Sequence, residues 1–454
     1  TGSTVTPGTI TANGDPTAST DSPFDDPDAF TFGNSKEGII KCGSYTGNGS
    51  STGPEINLGF EPQWLMWKCT DLSEPWYMSD SMRGIVSAGN DNTLLPNSNQ
   101  AENVANWDLL DLTSTGFKLK ESDDKINGDG HNYIYIAIRR PDGYVGKPVE
   151  TATSAFTIDT GGSSSTIPDF DSGFPVDMAL LTNVSTTDNN FVWSRLTGKD
   201  ELRANATNAA STANCAVWDS NVGFGKCNFN SNIHAWMFKR HAGFDVVTYE
   251  GNQVSREVKH SLNAVPEMIW SKDRSESGDW IVYHKGLNAG TSGETPAHKF
   301  LYLNKNDVEA GWVVPWNDTE PTSVWYPVQA STTFNKTGNK YLTMLFSSVD
   351  GISKVGSYTG NGTSASSTQT ITLGFQPRFL IVKGVDENSQ WSVFDTTRGW
   401  GSGTNDAVLE FSDNGAQSTG YGDVSEPTST GFTVRNNYGM NNKNNKNYIY
   451  YAHA

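Results

Sequence analysis

A chain of 454 residues is long enough for several hydrophobic cores. Its formal charge of −18 argues against nucleic acid and anionic membrane as primary partners, because phosphate recognition needs clustered Lys and Arg. No apolar run approaches about 18 residues, so no membrane span is expected.

Residues 1–36 are rich in Gly, Thr, Pro, Ser and Asp with almost no apolar side chains. Such a segment cannot bury enough surface to fold alone, so an extended arm or linker that docks on something else is expected. Beyond it the chain repeats itself. Gly43-Ser44-Tyr45-Thr46-Gly47-Asn48-Gly49 returns letter for letter at Gly356–Gly362. That offset is close to three steps of about 104 residues, the size of one small β domain.

Three landmarks recur four times in the same order. The first is Leu58-Gly59-Phe60-Glu61-Pro62, followed by Trp64-Leu65-Met66-Trp67-Lys68. Its counterparts are Gly173-Phe174-Pro175, Ala264-Val265-Pro266 and Gly374-Phe375-Gln376-Pro377, each followed by an apolar run. The second is Ser114-Thr115-Gly116-Phe117, repeated as Ser429-Thr430-Gly431-Phe432, with weaker forms at Val222-Gly223-Phe224 and Val324-Trp325-Tyr326. The third closes each copy with an aromatic-aliphatic run: Tyr133–Ile138, Ile233–Phe238, Tyr341–Phe346 and Tyr448–Ala452.

These runs are short and β-branched or aromatic, so they are read as strands. Proline suits a strand's first residue, and Gly and Asn supply turns. Phe117–Lys120 and Phe432–Arg435 alternate apolar and polar, as half-solvated strands do. The expected fold is all-β: four tandem antiparallel β-sandwich modules at 37–145, 146–243 (diverged), 244–352 and 353–454, after the arm at 1–36. Short joints predict that neighbours touch, as a rod or a compact cluster.

Chemical motifs are sparse. Gly49-Ser50-Ser51-Thr52-Gly53 fits a nucleophile-elbow pattern but lies in a turn and has no counterpart in the last copy. Asp123–Gly130 has the composition of a calcium loop, yet Lys125 stands at a ligand position and no Glu follows at the twelfth, so a hairpin turn is expected. Cys215 and Cys227 flank a short hairpin-like segment, where a disulfide is geometrically possible. Copies three and four contain no Cys, so the fold does not require that bond, and free thiols are the favoured reading.

One polar constellation repeats. Trp76 precedes Asp80 and Arg83, Trp391 precedes Asp395 and Arg398, and Trp280 precedes Lys285. Two readings stand: a sugar platform, with the indole on the sugar face and the polar groups on hydroxyls, or a core Trp with an ion pair locking a turn. Copy two keeps only Trp193-Ser194-Arg195 and Gly198, and recurrence in every copy with loss of one or other polar partner favours the turn lock.

The combination of Gly43–Gly49, Leu58–Pro62, the strand ending at Lys68, Asp80-x-x-Arg83-Gly84, Ser114–Phe117 and the closing Tyr133-Ile134-Tyr135 resembles a known module. So do residues 233–260, Asp279–Asn288 and Tyr448–Ala454. It is similar to the repeated β domain of marine phage virion structural and tail-fibre-like proteins, those of phages infecting marine cyanobacteria above all, over about residues 37–454. The resemblance implies a non-enzymatic virion structural protein on the virion surface, as a tail appendage or on the capsid exterior. Its arm would bind other virion proteins, and a homo-oligomer, trimer favoured, would engage a host cell-surface glycan or protein. It supplies no catalytic or ligand residue to carry over, and the motifs of the chain call for no cofactor, no metal and no catalytic residue. The alternatives are a capsid-attached decoration or head-fibre protein and, behind it, a polysaccharide depolymerase, which would need a carboxylate pair that does not recur here.

Overall fold

The computed structural model describes residues 38–103, 107–162, 167–287, 294–311, 315–363 and 368–454, apart from 402 and 404. The expected arm at 1–36 lies outside them. The described chain is all-β, its strands paired antiparallel and joined by loops and short 3-10 turns. It divides into two compact units, 1–144 and 145–454. The expected joints at 243/244 and 352/353 therefore fall inside the second unit.

In the first unit the larger sheet runs, edge to edge, Ile40–Thr46, Asn132–Arg139, Pro62–Cys69, Tyr77–Asp80. The smaller sheet runs Glu55–Asn57, Gly116–Leu119, Leu110–Thr113. The same order appears three times in the second unit. There the larger sheets begin Phe156–Thr160, Ile233–Phe238, Met178–Asn183, Phe191–Ser194; then Phe244–Glu250, Lys340–Phe346, Met268–Asp273, Ile281–His284; then Ser353–Thr359, Asn447–His453, Phe379–Gly384, Ser392–Asp395. The closing aromatic run is thus a central strand in each larger sheet.

The landmarks recur because they hold one another. The N–H groups of Leu58 and Gly59 donate to Thr115 O, those of Leu373 and Gly374 to Thr430 O, and those of Ser172 and Gly173 to Val222 O. The glycine that follows each acceptor lets two strands approach closely. A Cβ at Gly116 would lie 1.9 Å from Ile56 O, and one at Gly431 would lie 2.0 Å from Ile371 O. Gly431→Ala is expected to cost about 1–3 kcal/mol as overpacking against rigid backbone, read as a lowered urea midpoint for the second unit.

Within the second unit each copy has its own core between its two sheets, for example Phe170, Trp193 and Phe224; Ile269, Tyr283 and Tyr326; Leu380, Phe394 and Phe432. A fourth core lies between the copies. Ring centroids pair Phe238 with Phe346 at 6.4 Å, Phe346 with Tyr451 at 4.9 Å and Phe379 with Phe238 at 6.3 Å. Each pair joins a different two of the three copies, so the larger sheets are buried on both faces. Asn447–His453 reads intermediate then buried at every later position, where Asn132–Arg139 of the first unit alternates.

Backbone hydrogen bonds show how the three copies close. Asp188 N–H donates to Asn414 O, Ser389 N–H to Asn306 O and Gly278 N–H to Thr207 O. Bonds return from Gln417 N–H to Val184 O, Glu309 N–H to Val385 O and Ala210 N–H to Arg274 O. Copy two thus donates to four, four to three, and three to two. This head-to-tail contact closes into a pseudo-threefold ring within one chain. Copies two to four, read from sequence as a rod or cluster, stand around an axis.

Candidate functional site

The repeated Trp sits just before the fourth strand of its copy, and the ring fixes its role. Trp280 is 0% exposed and its indole N–H donates to Arg203 O at 2.8 Å; Trp391 is 1% exposed and donates to Tyr302 O at 2.9 Å. Both acceptors belong to the next copy, so neither indole face is open to a sugar. Copy two has Asn190 at this position, and its side chain donates to Phe411 O and Asp413 O of the next copy. Trp76, in the first unit, is half-buried.

The polar partners lie at the opposite end of the same strand and do not join the Trp in one cluster. Asp80 and Arg83 pair at 2.6 Å, and Arg83 also reaches Glu102 at 2.7 Å on a partly exposed surface. Asp395 and Arg398 pair with both side chains fully buried. There Asp395 also accepts the indole N–H of Trp236 from copy two at 3.1 Å, and Arg398 lies over that ring. Lys285 pairs instead with Glu267 at the surface. The position of Asp395 is taken in copy three by His284, whose Nδ1 accepts the N–H of Gly286.

The other motifs serve the fold. In the Asp123–Gly130 turn, Asp123 accepts the N–H of Lys125, and Asn127 is fully buried, donating to Ser50 O and Glu121 O. Among the described residues no group of three or more His, Cys, Asp or Glu is placed to hold a metal ion. Cys215 and Cys227 are joined as a disulfide, with Cα atoms 5.1 Å apart, and Cys42 and Cys69 are free. The free-thiol reading of Cys215 and Cys227 is therefore corrected: the turn brings their Cα atoms into bonding range.

An open hollow lies in the third copy, with a volume of about 400 Å³. Tyr249, Tyr302, Trp316 and Phe334 form aromatic walls, Ser271 and Thr333 bring hydroxyls, and Asp273, Glu276 and Asp279 stand among the polar lining groups. The space exists because of one substitution between copies. Ser271 precedes Lys272 where Trp67 precedes Lys68, and Trp67 fills its own copy, stacked on Tyr77 at 5.7 Å. Ser271 Oγ instead meets Thr343 Oγ1 at 3.0 Å. The indole nitrogen of Trp316 is buried and, among the described residues, has no hydrogen-bond partner. Sequence reasoning passed over these residues; their signal was the loss of a large side chain at one aligned strand position.

The carboxylates in the hollow are engaged. Asp279 receives Asn304 and Lys305, and Asp273 accepts the N–H groups of Ser275 and Glu276. The hydrogen bond from Lys336 holds the Glu276 carboxyl below its ordinary pKa, so it carries no proton to donate near neutrality. Carboxyls with raised pKa lie elsewhere: burial raises Glu201 and Glu410, which are half-buried, and Asp406 and Asp91, which are sealed. Burial pushes Asp406 up to about 6 while it accepts the N–H groups of Val424 and Ser425; burial likewise raises Asp91, which accepts those of Leu109 and Leu110.

No helix in the described residues is long and apolar enough to cross a membrane. A search of the curated proteins finds no match. The chain matches the family described as a domain of unknown function, DUF7483, over residues 5–140 and 159–454. With both units spanned by the match, the chain belongs to the DUF7483 family.

Proposed function

We propose that this chain is a structural protein of a phage virion, a tail-fibre or other surface-appendage component that takes part in host attachment through the hollow of its third copy. The repeated motifs and their resemblance support the virion setting. The observation that carries the attachment role is the hollow itself. Where Trp236, Trp280 and Trp391 are spent on packing, it keeps aromatic walls and hydroxyls open to a ligand. A sugar presents an apolar face to aromatic rings and hydroxyls to polar groups, so carbohydrate is the fitting class. Engaged carboxylates in the hollow favour binding over hydrolysis.

The test is calorimetric titration of the full chain with host envelope polysaccharide. Thr333→Arg at the exposed rim is expected to weaken binding about tenfold or more, roughly 1.4 kcal/mol, with unchanged melting, and Phe334→Ala at the wall to weaken it with a lowered melting temperature, since that ring also packs on the core of its copy. Undiminished binding by both variants removes the hollow from the proposal. Release of reducing sugar from the polysaccharide favours a depolymerase, and density on the head in a particle map favours decoration.

A further inference from the structure

One sheet face stays open in the first unit where its three sister faces are closed. Ile40 and Ile134 are 43% and 41% exposed, and Trp64, Met66, Ile136 and Ile138 beside them are half-buried. Strand register aligns Ile40, Ile138 and Trp64 with Phe156, Phe238 and Met178, with Phe244, Phe346 and Met268, and with Ser353, His453 and Phe379. Every one of those sister residues is at most 2% exposed, buried in the second unit. The first unit therefore carries the ring-forming face with apolar side chains exposed, while its three sisters complete a ring of their own.

The joining groups are also in place. In each copy of the ring the residue before the fourth strand is pinned by its own copy: Asn190, Trp280 and Trp391 N–H donate to Asn205 Oδ1, Asn304 Oδ1 and Ser412 Oγ. Trp76 N–H donates to Asn97 Oδ1 at 3.0 Å in the same way. Arg203 O, which receives the Trp280 indole, also accepts Ala206 N–H; its counterpart Leu95 O accepts Ser98 N–H and keeps a second lone pair. Lys272 and Lys383 donate to carbonyls of their own copy and to Thr207 O or Asp307 O of the next. Lys68 makes the own-copy bonds, to Cys69 O and Glu74 O.

We infer that the first unit closes the same ring in trans, with the first units of two further copies of this chain, making a homotrimer. The contact is heterologous and closes after three steps, as it does within the chain, and each chain contributes one such unit. By register, the Trp76 indole N–H of one chain meets Leu95 O of the next, and Glu74 N–H meets Asn99 O. This assignment is independent of the virion reading, because it uses only the sister interfaces.

The test is sedimentation equilibrium of the full chain, with a mass three times 49.3 kDa expected at about 10 µM. Ile136→Lys places a charge on the open face and is expected to weaken association at least about a hundredfold, to monomer, with an unchanged far-UV spectrum and an unchanged urea transition of the second unit. Glu74→Cys with Asn99→Cys, in a Cys42→Ser background, is expected to give a covalent trimer on oxidation, which keeps the proposal testable if the lysine variant fails to fold. A monomer or dimer at that concentration overturns it. So does a trimer that survives Ile136→Lys with no cross-link, which would place the contact on another face.

Discussion

Lowering the pH from 7 to 4 is expected to unfold the 145–454 unit. Burial holds His241, His284 and His453 at a pKa of about 3, with Lys239 also lowering His241, Lys285 lowering His284, and His241 and Arg378 lowering His453. The unfolded chain protonates its histidines near 6.5. Between those values the unfolded state binds more protons, so stability falls as pH falls, beginning near 6.5 and levelling near 3. The loss is on the order of 1.4 kcal/mol per pH unit for each ring, or roughly 10 kcal/mol for all three at pH 4. Asp406 acts in the opposite sense. Its folded pKa of about 6 lies above the unfolded value, so protonating it returns roughly 2 kcal/mol by pH 4, and Glu201 and Glu410, also raised by burial, act in the same sense. The net is comparable with the whole stability of a domain.

Geometry points the same way. Nδ1 of His241 and of His284 already accepts a backbone N–H, from Gly243 and Gly286, so protonation there breaks a bond as well as burying a charge. His453 aligns with Phe238 and Phe346, which makes His453→Phe a substitution with sister precedent. Urea unfolding across pH 4–7 is expected to show a slope smaller by about one proton in that variant. An unchanged slope would remove His453 from the acid response.

Asp395→Ala is expected to destabilise the second unit by about 3–5 kcal/mol, because it leaves the Arg398 guanidinium buried without its carboxylate. Trp236 loses its acceptor in the same step, so the damage crosses from copy four to copy two. Asp80→Ala is expected to cost about 1 kcal/mol or less, since that pair is partly exposed and Arg83 keeps Glu102. Urea unfolding, following each unit's own transition, separates the two. Small and equal effects, together with loss of glycan binding, would restore the sugar-platform reading of the same residues.

The all-β repeat was legible because Gly116, Gly431 and the carbonyls of Thr115 and Thr430 hold the landmarks together, so they persist as letters. The ring was not. Its signal is a continuous apolar run such as Phe379-Leu380-Ile381-Val382, which denotes a strand covered on both faces. Lys383 at the end of that run reads as a polar edge, yet it is fully buried with its ammonium on backbone carbonyls, and burial lowers its pKa to about 8. The Trp, Asp and Arg constellation was visible as a pattern. Its meaning depended on which face met another copy, and that follows from packing at long range.

The donor order of the ring bears on how the protein is made. Copy two is complete when the ribosome reaches residue 238, but it donates to copy four, whose last strand ends at His453. At about 5–20 residues per second, its aromatic face waits on the order of ten to forty seconds for cover. A chain cut short before the last strand of copy four would therefore strand finished sandwiches with adhesive surfaces, and nascent copies two and three are where a chaperone has cause to bind.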